Sequence, residues 1–144
     1  MAITTNAIAN SFKKELLEGK HDFTASTGSA FKLAMYNSSA TLGKSTTSYT
    51  TGGQVTSPAG YTAGGKALVN TGTSVSSSVA ITDFSDLSFT NVTLTARGAL
   101  IYNTSNSNSA VAVLDFGSDK TATAGTFTIQ FPAYTTSAAI LRIS

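Results

Sequence analysis

Two periodicities divide the chain. Near its start Ile8, Phe12 and Leu16 recur every four residues, with Lys13, Lys14 and Glu18 elsewhere on the wheel. That spacing predicts an amphipathic helix from about Ala7 to Glu18, with Asn6 as N-cap and Gly19 as the stop. A helix this short is not stable alone in water. Its apolar stripe must therefore dock on its own β-domain or on a neighbouring subunit.

Beyond residue 30 the period changes to two, the signature of half-buried strands. Phe31, Leu33 and Met35 alternate with Lys32, Ala34 and Tyr36; Val92 and Leu94 alternate with Thr93 and Thr95. Residues 99–102 and 110–116 are apolar runs, Phe127, Ile129 and Phe131 alternate again, and residues 139–143 close the chain as a strand. Weaker strands are expected at 67–70 and 79–82. Segments 103–109 and 117–125 carry hairpin-loop residues. Six to eight strands so joined predict an all-β domain, an antiparallel β-sandwich or jelly-roll-like barrel with one N-terminal amphipathic helix. A single domain is expected over 1–144, with an arm and helix in 1–20 and the β-domain in 30–144. Its least regular part is the long loop 37–65, which is either a loose surface loop or an arm that orders on a neighbour.

Composition narrows the chemistry. Charged residues make up 11% of the chain, far below the usual quarter, so its surface is either neutral hydroxyl and amide or hidden against other subunits. Net charge is +2, and the only cluster of cations, Lys13, Lys14 and Lys20, is interleaved with Glu15 and Glu18. No nucleic-acid partner is expected from that pattern. No apolar run approaches the length of a membrane span, so no membrane partner is expected either.

Reactive side chains are scarce. With no cysteine and one histidine, His21, neither a nucleophile relay nor a zinc site can be assembled convincingly. His21 follows the helix and reads as a surface turn residue. Asp83 with Asp86, and Asp115 with Asp119, could be pictured around calcium, but neither pair has ligand-loop spacing, and both read as turn or capping residues. The chain is expected to be no enzyme, with no catalytic, metal or cofactor site and no cofactor. The candidate contact residues are Ile8, Phe12 and Leu16 on the helix stripe and Tyr49 and Tyr61 in the long loop. Arg97 is added as the cation within a strongly β region, expected to pair with an aspartate across the sheet or at a subunit boundary.

Several phrases carry a likeness. Residues 7–19, Ala-Ile-Ala-Asn-Ser-Phe-Lys-Lys-Glu-Leu-Leu-Glu-Gly, and the stretches 31–36, 60–65, 95–103, 112–117 and 128–132 resemble a family of small virion structural proteins of tailed bacteriophages. The likeness spans nearly the whole chain, with a variable part around Thr71 to Val79. It implies a head decoration (cement) protein, made in the host bacterial cytoplasm and located on the capsid surface of the virion. Its implied partners are the major capsid protein and itself, as a homotrimer. It implies no catalytic residue. The alternative is a tail, neck or fibre-associated virion protein with a role in host-surface adhesion.

Overall fold

The computed structural model describes residues 3–56 and 58–144, so Ser57 of the long loop and the first two residues of the arm lie outside what is described. The strands are β1 (Ala7–Ile8), β2 (Phe31–Tyr36), β3 (Lys66–Ala67), β4 (Asn70–Ser76), β5 (Val79–Phe84), β6 (Leu87–Asn103), β7 (Ser109–Ile129) and β8 (Leu141–Ile143); helix α1 (Asn10–Leu17) lies between β1 and β2. They form a larger sheet in the order β1-β7-β6-β2-β3 and a smaller one in the order β4-β5-β8. Every pairing between these strands is antiparallel. The barrel alternative is corrected: β1 and β3, two residues each, end the larger sheet without pairing to each other. Closure would need edge strands long enough to share the tilt and stagger of their neighbours.

The helix begins later than its periodicity predicts. Ala7 and Ile8 pair with Val113 and Ala112 of β7, and the Ala9 N–H continues onto the Val111 carbonyl at 3.0 Å. An open strand edge thus captures the first turn's backbone. Asn6, expected as the N-cap, instead accepts the Asp115 N–H at 2.6 Å, and the capping position falls to Ala9 with no side-chain cap. The loop supplies the missing acceptor, since the Asn10 N–H donates to the Lys44 carbonyl at 2.8 Å. The stop is as expected. Gly19 has φ +71°, its N–H reaches the Leu16 carbonyl, and the Lys20 N–H reaches that of Glu15, the paired bonds of a Schellman cap.

Strand β2 spans the six residues whose alternation predicts it, but it is buried on both faces, with Lys32 alone half-exposed. Val92–Leu94 and the 99–102 run, expected as two strands, are one strand, β6. The 117–125 loop is corrected too: it continues β7, paired to β6 through register shifts that absorb its turn residues. Gly117 at φ +81° and Ala124 at φ +45° take the left-handed conformations such irregularities need. Threonines hold the ladder between them, as in the 2.8 Å bond joining the Thr95 and Thr121 hydroxyls.

The middle of the larger sheet is buried on both faces. On one, Tyr36 donates to the Thr50 carbonyl at 2.6 Å and Tyr102 stacks on Tyr49 at 4.8 Å between centroids, so the long loop is folded onto its own sheet. Ala40, Leu42 and Val55 are buried beneath it. On the other face Phe31 meets Phe23 at 4.7 Å and Phe84 of the smaller sheet at 5.6 Å. This aromatic contact joins the two sheets.

Candidate functional site

The inner face of the smaller sheet is covered at one end only. Opposite residues on antiparallel strands share a face, which gives two cross-strand rows, Thr73–Thr82–Leu141 and Val75–Ala80–Ile143. Leu141 and, farther along β5, Phe84 belong to the core. The second row overhangs it. Between that overhang and α1 opens a cleft of about 800 Å³, with Phe12, Leu16 and Phe23 on one side and Thr82, Leu141 and Ile143 on the other. Leu17, Ile143 and Ile8 also line it while remaining 92%, 60% and 37% exposed. Val75, 73% exposed, extends the same row outward. Among the described residues, four of the five exposed large apolar side chains therefore bear on one region, the fifth being Val69.

The three residues of the helix stripe named from sequence come together here, but not all from the helix. Ile8, Phe12 and Leu16 all line the cleft, although Ile8 reaches it from β1 and Phe12 is buried in the core. The other three candidates lie elsewhere. Tyr61 is buried and its hydroxyl accepts the Met35 N–H at 2.9 Å. Tyr49 donates to Gln54 Oε1 at 2.6 Å, and the same oxygen accepts the Gly64 N–H at 3.0 Å. Both tyrosines thus fasten the long loop to its own sheet. Arg97 pairs with Asp115 across β6 and β7, the cross-sheet partnership expected of it. Asp115 is held below the usual carboxylate range, first by the Gly117 N–H and then by Arg97.

Leu17, Val75 and Ile143 were missed. Leu17 sits off the stripe on the polar side of the helix, where a leucine has no intramolecular reason to be. That misplacement was the available signal. Val75 stands alone among serines and threonines in the segment taken as variable.

His21 is corrected from a surface turn to a buried linker. Its Nε2 lies 3.1 Å from Glu15 Oε1, its Nδ1 lies 2.9 Å from Asn103 Nδ2, and its ring packs on Phe12 at 4.7 Å. Asn103 Oδ1 accepts the Ser105 N–H, so its amide nitrogen donates and Nδ1 of His21 accepts. The proton then sits on Nε2 and points to Glu15. This chain of bonds ties α1, one wall of the cleft, to the end of β6.

Three of the four aspartates considered for calcium, Asp83, Asp86 and Asp115, serve the backbone. Asp83 accepts the Phe84 N–H and Asp86 the Phe131 N–H, both at 2.8 Å. Burial pushes the Asp83 carboxyl above its usual range. Among the described residues no three histidine or acidic side chains gather as a metal site, and no helix is long and apolar enough to cross a membrane. Compared with known proteins, the chain matches no family model, and no curated protein and no solved structure is significantly similar to it.

Proposed function

We propose that this chain is a structural subunit that works by docking, and within that class a head decoration (cement) protein of a tailed bacteriophage. In this role it sits on the outer surface of the major capsid protein lattice, beside further copies of itself. The observation that carries the docking role is the open cleft. Covering a leucine or isoleucine is worth about 1.5–3 kcal/mol, and for Leu17 and Ile143 that gain waits for a partner. The phage assignment rests on the sequence phrases that resemble virion proteins. The contact of Phe31 with Phe84 across the two sheets supports a β-sandwich as the architecture.

Quantitative mass spectrometry of purified particles tests the role. Hundreds of copies per particle are expected of a protein spread over the shell. A dozen or fewer would move it to the tail, neck or fibre, and its absence from mature particles would end the proposal.

A further inference from the structure

We infer that the cleft and the free edge of β8 receive one extended segment of a partner protein, in which apolar residues flank an acidic one. The inference rests on the cleft being the docking face. Strand β8 ends the smaller sheet, and among the described residues the backbone groups of Leu141–Ile143 that point away from β5 have no hydrogen-bond partner. Such an edge is a template for one more strand. A segment added antiparallel would set its residues opposite those of β8, on the same faces. Residues opposite Leu141 and Ile143 would extend the two inner rows into the cleft, and must be apolar. The residue between them would lie opposite Arg142, on the other face.

Charge decides what that middle residue is. Arg142 is exposed on that outer face and has no ion-pair partner among the described residues. An acidic residue opposite Arg142 therefore completes the edge. A second copy of this chain suits it less well, because β8 pairing with itself about its centre would oppose Arg142 to Arg142.

The test uses the full chain and two blocked peptides, Ser-Val-Glu-Val-Ser and its lysine counterpart Ser-Val-Lys-Val-Ser, titrated while the backbone amides are followed by NMR. The acidic peptide is expected to shift and protect the amides of residues 141–143, binding about tenfold more tightly than the basic one, the scale of exchanging an opposed for a like charge pair. Arg142→Glu is expected to reverse that order. Arg142 is exposed, so the fold should tolerate the change; if it does not, the comparison of the two peptides on the unaltered chain decides alone. Equal binding of both peptides, binding of neither, or a concentration-dependent dimer that protects β8 by itself would each overturn the inference. None of these results depends on copy number in particles, so the two proposals fail separately.

Discussion

Tyr102 shows how much a single hydroxyl holds in this protein. It donates to the Gly64 carbonyl at 2.5 Å while its ring stacks on Tyr49. Tyr102→Phe keeps the ring and strands that carbonyl, so chemical denaturation should show a loss of about 1–3 kcal/mol. The same burial governs the alkaline limit. The Tyr102 phenol is pushed up to about 12, and those of Tyr36 and Tyr61 are also raised, in each case first by burial. The folded state therefore keeps protons that the unfolded chain releases near pH 10. Stability should be full below pH 10 and fall as pH climbs towards 12. Phenolate absorbance would check this by showing late ionisation that coincides with unfolding. Gly65 is as demanding: at φ +84°, a Cβ would fall on the Leu33 carbonyl. Gly65→Ala should lower the melting temperature more than Gly43→Ala, where a Cβ meets open space.

At the scale of elements, the β6–β7 hairpin is the spine. Residues 98–103 and 109–113 are buried throughout, whereas β8 is a three-residue edge strand with Ile143 mostly exposed. Native-state hydrogen exchange should find the slowest amides in the first group and fast ones in β8. Much of this was legible. The alternation in 31–36 sits between turn residues and has one solution. The Ile8–Phe12–Leu16 stripe found the cleft, although its first residue belongs to a strand. Other features were not legible, for physical reasons. Gly117 and Gly125 have turn chemistry, and only the length of the paired β6 turns that stretch into a bulged strand. His21 looks solvent-facing beside Lys20 and Asp22; its burial depends on Asn103, 82 positions away. Tyr49 and Tyr61 were named as contacts to a neighbouring subunit, and sequence cannot say that the surface they meet is their own sheet.

For the whole molecule, the distribution of apolar surface matters more than its amount. Most of the exterior offers hydroxyls, with ion pairs such as Lys14–Glu18 at 2.9 Å lying exposed on the helix, where solvent screens them. Leu17, exposed at the helix end, can be changed without touching the core. Leu17→Glu should leave the circular dichroism spectrum and melting temperature within error of the parent while greatly weakening attachment to particles, measured by co-sedimentation. Loss of attachment together with loss of fold would mean that Leu17 supports the domain instead.

The overhang of the smaller sheet carries a geometric corollary. Aromatic rings from both sheets shut the space at the Phe84 end, while the Ala80 end stays ajar. On the proposed docking role, an incoming chain would enter from the open side and stop against those rings. Every copy bound that way would share a single heading, and a wedge that closes at one end would then serve as an alignment key.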